Sequence, residues 1–264
     1  MIAFTLGFII PFVEGVYLSF CKFTTVNDAK FIGFANYAKV FADETFVHAF
    51  WYTAAFTVVS VILINVLAFA VALLLTKGFK GTNIFRTVFF MPNLIGGIVL
   101  GYIWQLLLNG ILMKFSRTLT YSSTYGFWGL IILMCWQQIG YMMIIYIAGI
   151  QNIPGELIEA AEIDGATKWQ IIKKVTIPMV MPSITVCTFL TLTNSFKLFD
   201  QNLALTNGEP SKMSEMLALN IFYTFYGRTG YEGVGQAKAV IFFILVTVIA
   251  LTQNYLTRRK EVQQ

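Results

Sequence analysis

Apolar residues fall along the chain in long blocks divided by short polar links. The blocks cover about residues 1–20, 50–76, 84–108, 126–150, 177–199 and 239–256. A helix needs roughly 20 apolar residues to cross a bilayer, and each block is close to that length; none alternates as membrane-barrel strands do. The pattern predicts an all-α fold: a polytopic membrane protein with six transmembrane helices in a single domain over residues 1–264. Pro92 and Pro182 sit near predicted span ends, where a missing backbone donor is best tolerated. No internal repeat stands out. The first block opens without a charged flank, so a longer natural N-terminus is expected.

Composition sharpens this class. Hydrophobic residues make up 57% of the chain and charged residues 12%, with a mean hydropathy of +0.72. A soluble domain usually carries about 25% charged residues. The shortage excludes a soluble enzyme, a disordered tail and a nucleic-acid binder of ordinary type. The net charge of +5 does not alter that, because the basic residues form no long run. Cys21, Cys135 and Cys187 are odd in number and widely spaced, which fits neither a disulfide framework nor a zinc site.

Basic residues set the expected orientation. Lys77, Lys80 and Arg86 crowd the link between spans two and three; Lys168, Lys173 and Lys174 lie between spans four and five; Arg258, Arg259 and Lys260 follow span six. By the positive-inside rule, these links and both termini face the cytoplasm. The loop with Phe34-Ala-Asn-Tyr-Ala-Lys-Val-Phe41 then lies outside as a short interfacial helix, and Trp51, Tyr52, Tyr125 and Trp128 fit aromatic belts.

The link after span four is a polar, helix-forming insertion in an apolar chain. Pro154 suits a helix start, and Glu156 and Glu159 suit its positive end. Gly165 after Asp164 marks a turn, and a second amphipathic helix follows with Trp169, Ile172 and Val175 on one stripe. Such a hairpin is either an ordinary surface element or a docking element for a partner.

The letters of this link favour docking. Glu159-Ala160-Ala161, Asp164-Gly165-Ala166 and Val175-Thr-Ile-Pro178 resemble the EAA loop of ABC importer permeases, with mild departures at Val175 and Ile177. The resemblance implies that residues 151–177 form a coupling helix seated in an ATPase groove, with Glu159, Ala160, Ala161, Asp164 and Gly165 coupling to it. Arg86-Thr-Val-Phe-Phe-Met-Pro92, Gly101-Tyr-Ile-Trp104, Phe31-Ile-Gly-Phe-Ala-Asn-Tyr37, Phe196-Lys-Leu-Phe-Asp200, Leu205-Thr-Asn-Gly-Glu-Pro210 and Ile221-Phe-Tyr-Thr-Phe-Tyr226 are similar to the carbohydrate-uptake, maltose-permease-like branch. Lys238 and Glu209 depart from that branch, which usually has a small residue and glycine there.

The family likeness implies a permease subunit that translocates a sugar or oligosaccharide across a bacterial-type plasma (inner) membrane. The implied partners are a second permease subunit in a heterodimer, two ATPase subunits, an extracytoplasmic solute-binding protein and the lipid bilayer, with no nucleic acid. No Gly-x-x-x-x-Gly-Lys-[Ser/Thr] loop occurs, so the chain is expected to be no enzyme and to carry no cofactor; ATP and Mg belong to the partners. His48 reads as an interfacial polar residue and no metal site is expected. The alternatives are a permease for another solute such as glycerol 3-phosphate, or an ion-coupled secondary transporter.

Polar residues inside the apolar blocks mark a candidate pathway. Thr191, Asn194 and Ser195 share a helix face with Leu198, and Gln137, Gln138 and Tyr141 form a patch on span four. Neutral hydrogen-bonding groups beside rings suit a neutral sugar; the competing reading is that they hold helices together. Lys197 and Asp200, three residues apart, are expected to neutralise each other.

Overall fold

The computed structural model describes residues 2–78 and 80–258, so Arg259 and Lys260, counted above for orientation, lie outside the described residues. The elements are α1 (Ile2–Leu18), a two-residue hairpin of β1 (Cys21–Lys22) and β2 (Lys30–Phe31), α2 (Ala35–Phe41), α3 (Glu44–Leu75) and α4 (Thr82–Phe90). Then come α5 (Gly97–Leu112), α6 (Ser123–Gln151), α7 (Gly155–Ile163), α8 (Lys168–Met179) and α9 (Met181–Phe196). α10 (Asp200–Leu205), α11 (Leu217–Tyr226) and α12 (Glu232–Arg258) follow. The fold is all-α and polytopic.

Among the described residues four helical stretches are long and apolar enough to cross a membrane: Glu44–Leu75, Gly97–Phe115, Ser123–Gln151 and Glu232–Thr257. A fifth is the pair α8 and α9, bent by 72° where they meet. The first apolar block forms only the shorter α1, roughly 25 Å long at 1.5 Å per residue. The expected six straight spans are therefore four, a bent fifth and a short first helix.

Two block boundaries are corrected. Residues 84–108 do not form one span. α4 gives way to a 3-10 turn at Met91–Leu94, Ile95 and Gly96 are extended, and the spanning helix begins at Gly97. Pro92 lacks the N–H that a continuous helix would need. The break places the end of α4 across α6, where a Cβ on Gly140 would overlap the Phe89 carbonyl oxygen. Residues 177–199 break likewise: Pro182 stands in the first turn of α9, which starts only after the bend at Val180 and ends at Phe196.

α3, α6 and α9 form the core. Ser60, Ile64, Ala68 and Ala72 recur every fourth residue on α3 and are fully buried, as are Leu130, Leu133, Met142 and Met143 on α6. In lipid, apolar transfer drives association weakly, and small residues act by letting backbones approach so that dispersion contacts accumulate. After α9 the chain folds back and packs α10 against α5. A Cβ on Gly101 would strike Ala204, and Gln105 Nε2 donates to the Leu205 carbonyl at 3.0 Å.

Hydrogen bonds fix the bundle at one end, and a cleft opens at the other. At one end Tyr52 Oη donates to the Ser123 carbonyl at 3.3 Å, and Leu217 N–H donates to Thr53 Oγ1 at 2.9 Å. His48 Nε2 lies 3.0 Å from the Met213 carbonyl there. Glu209 accepts from Ser211 N–H at 2.9 Å and so closes a turn in the same loop. At the opposite end Leu75, Thr76 and Gln151 line one cleft with Thr82 and Arg86.

Lys238, a departure from the family pattern, is fully buried at the first end. Its Nζ donates to Asp43 Oδ2 at 2.7 Å, Asn220 Oδ1 at 2.7 Å and Thr224 Oγ1 at 2.8 Å, and lies 5.2 Å from the Phe46 ring centre. This clasp joins α12, α11 and the start of α3. Asp43 also caps α3, accepting from Thr45 N–H at 3.0 Å. Burial works against its charge, but the bonds from Lys238 and Thr45 prevail and hold the carboxyl below the usual range.

Candidate functional site

The hairpin is built from local signals. α7 follows Pro154 with Glu156 in its first turn, and Asp164 ends it. Gly165 takes φ +76, a left-handed conformation that suits glycine, and Ala166 N–H donates to the Ala161 carbonyl at 3.0 Å. Thr167 and Gln170 then cap α8 reciprocally: Thr167 N–H donates to Gln170 Oε1 at 2.7 Å, and Gln170 N–H to Thr167 Oγ1 at 3.4 Å. Glu159, Ala160, Asp164 and Gly165 are exposed and Ala161 is half-buried. Ile163 and Trp169 are 86% and 70% exposed, which leaves apolar surface uncovered at the hairpin tip. The sequence reading missed Ile163; its place beside the turn was the available signal.

The pathway residues divide into two groups. Gln138 and Asn194 open onto a cleft of about 280 Å³ together with Lys197, Asp200 and Gln201. Asn194 Nδ2 donates to Gln138 Oε1 at 3.4 Å, and Gln201 Nε2 donates to Gln137 Oε1 at 2.8 Å. Gln137 Nε2 reaches the Ile95 carbonyl at 3.4 Å, in the extended break before α5. α6, α9, α10 and that break thus meet through side-chain amides.

Thr191 and Ser195 do not open on this cleft. Both are fully buried. Thr191 Oγ1 donates to the Cys187 carbonyl at 2.7 Å and accepts from Asn65 Nδ2 at 3.3 Å. Tyr146 Oη in turn donates to Asn65 Oδ1 at 2.6 Å. The expected common face is therefore split: one step around α9 separates Asn194, at the cleft, from Ser195, in the packed seam. Tyr141 lies with its ring 6.4 Å from Phe90, at the end of α4. Asn65 was not foreseen; a lone Asn within the apolar run Val-Ile-Leu-Ile64-Asn65-Val was the signal for it.

Lys197 and Asp200 are also corrected: no ion pair joins them. The one ion pair among the described residues is Lys238 with Asp43. A helix break at Lys197–Phe199 separates their backbones, so the three-residue spacing is no longer a helical one. The cleft thus presents one cation, one anion and several neutral amides. Among the described residues no three His, Cys, Asp or Glu side chains gather as metal ligands.

An apolar helical bundle with a hydrogen-bonding cleft inside it and an uncovered polar hairpin at one end has the make-up of a membrane transport component. Residues 64–262 match the family described as the binding-protein-dependent transport system inner membrane component, and the chain belongs to that family. It is a transport subunit, not an enzyme, and a multi-pass membrane protein. It is 43% identical over 264 residues to the probable starch degradation products transport system permease protein AmyD of Thermoanaerobacterium thermosulfurigenes, covering 97% of this chain and 90% of that one. It is 29% identical to the multiple sugar-binding transport system permease protein MsmF of Streptococcus mutans, over 97% of this chain and 91% of that one. The fold matches a crystal structure of a bacterial ABC transporter involved in import of the acidic polysaccharide alginate, with a TM-score of 0.83 and 22% identity over 98% and 92% of the two chains.

Proposed function

We propose that the chain is a permease subunit of an ABC importer and carries a sugar or oligosaccharide across the membrane. The observation that carries the reading is the 43% identity, over nearly the whole chain, to a permease for starch degradation products. The cleft supports it. Gln138, Asn194 and Gln201 offer neutral donors and acceptors, which suit hydroxyl groups. Asp200 in the same cleft as Lys197 argues against a dedicated anion such as glycerol 3-phosphate. Family membership sets aside the ion-coupled carrier.

In this reading a solute-binding protein delivers the sugar, and a second permease subunit completes the path. Of two ATPase subunits, one receives the hairpin of α7 and α8 in its groove; exposed Glu159, Asp164, Ile163 and Trp169 form the docking tip, and Gly165 shapes it. Motion of that tip passes along α8 and the 72° bend into α9, which carries Asn194 at the cleft. The hairpin end, with Lys80 and Lys168, faces the cytoplasm. Gln138 and Asn194 contact the sugar, and Gln137 positions Gln201; Thr191 and Ser195 join the path only when the seam between α3 and α9 opens.

The test is reconstitution of the assembled importer in proteoliposomes with its binding protein. Labelled sugar should accumulate only with ATP present, and Asn194→Leu should abolish accumulation without dispersing the complex. ATP-driven accumulation of amino acids but of no sugar would refute the reading.

A further inference from the structure

The aromatic run Ile221-Phe-Tyr-Thr-Phe-Tyr226 has no part in the hairpin or the cleft. In the structure α11 carries Phe222 and Tyr226 one helical turn apart, with ring centres 5.0 Å apart, and Phe199 adds a third ring 5.2 Å from Phe222. The planes are tilted, by 46° and 59°, so the rings do not stack face to face and each keeps part of a face open. Phe222 is 36% exposed and Tyr226 73%. They border a groove of about 390 Å³ whose opposite wall, on α12, is Gly235, Gln236 and Ala239. Gly235 allows α12 to come close to α11: a Cβ there would lie 2.8 Å from Phe225 Cα.

We propose that this groove is a second binding surface, an aromatic shelf that holds an elongated carbohydrate and leads it into the cleft; the proposal rests on the sugar reading above. Phe199 lines both the groove and the polar cleft, so the two adjoin at its ring. A pyranose has C–H faces that pack on aromatic rings and hydroxyl edges that need hydrogen bonds. The shelf supplies three rings in two steps of about 5 Å, with Gln236 on the facing wall. The cleft then supplies amides and charges. A surface meant only for lipid looks different here: the groove of Phe41, Phe46, Val47, Phe50, Ile241 and Ile244 has no polar side chain.

The shelf distinguishes solutes by length, because a short sugar seated in the cleft does not extend to Tyr226. The experiment uses the assembled importer in proteoliposomes with its binding protein and linear α-1,4-glucose oligomers from disaccharide to heptasaccharide. Tyr226→Ala and Phe222→Leu should each reduce heptasaccharide uptake roughly three- to ten-fold and leave disaccharide uptake and disaccharide-stimulated ATPase activity unchanged. Equal losses at all lengths, or no loss at any, overturn the shelf and leave the rings to the fold, the lipid or the partner subunit. A wild-type complex that imports none of the series refutes the sugar reading for such glucans. A diazirine-bearing heptasaccharide then decides the shelf alone: adducts on residues 217–226 that unlabelled heptasaccharide suppresses uphold it, and their absence overturns it.

Discussion

Removing the Lys238 ammonium should loosen one end of the bundle by a calculable amount. Its Nζ is fully buried and makes three hydrogen bonds, one to the Asp43 carboxylate. Deleting one partner of a buried ion pair costs about 3–5 kcal/mol, because the other charge is left uncompensated. Asp43 keeps 20% of its side chain exposed, so water recovers part of that loss and the low end, about 3 kcal/mol, is expected for Lys238→Met. Met retains most of the volume, so cavity formation adds little. Asp43→Asn in the same chain should recover about half: it removes the stranded charge and preserves the helix cap, since Asn caps as well as Asp. At roughly 2–4 °C per kcal/mol, Lys238→Met should lower the unfolding midpoint by about 6–12 °C. Thermal unfolding of the purified complex at one fixed scan rate measures both. A single variant within about 2 °C of wild type, or a double variant no better than the single, refutes the account.

Acid should weaken the same clasp. Asp43 is held below its unfolded value near 3.9, so its stabilisation is present above that value and disappears as the pH falls through the folded one; Asp43→Asn should flatten the acid limb of an unfolding-versus-pH curve. Gly165→Ala should cost about 1 kcal/mol of local hairpin stability through its left-handed φ and uncouple ATPase activity from transport, while Glu159→Lys uncouples without unfolding; solute-stimulated ATPase assays read both. A cysteine at Lys80 should react with an impermeant reagent only from the cytoplasmic side, and labelling from outside refutes the orientation. Ser195→Leu should destabilise by about 1–3 kcal/mol through overpacking of the seam, whereas Gln138→Leu should lower uptake in an intact complex; transport and native-gel assays separate them.

The class of the fold was legible because bilayer thickness imposes block lengths that few other constraints imitate. Where blocks ended was less so. Residues 84–108 read as one run because Val88, Phe89 and Phe90 are as apolar as Val99 and Leu100. The break there depends on backbone packing at Gly140 and on the missing N–H of Pro92, which a hydropathy pattern registers weakly. The hairpin was the clearest element, since each of its signals is local. Pro154 and the Asp164-Gly165 turn each act on their own few residues of backbone, and the structure adds the Thr167 and Gln170 cap, which the sequence reading did not use.

The site divides along the same line between local and long-range causes. A helical wheel correctly joins Thr191 and Ser195, which face the same way into the packed seam. It assigns Asn194 to their side, although a step of one residue turns the side chain by about 100°. The cleft begins where that turn meets α10, and α10 is there only because Gly97 and Gly101 let it approach α5. Lys197 and Asp200 show the same dependence: the three-residue spacing promises a pair only on a continuous helix, and the chain breaks between them to fold back. Both charges then stand in the cleft with the amides. A cleft that holds opposite charges without pairing them is suited to a polar solute with no net charge, and it acquires that character from the fold-back rather than from any one motif.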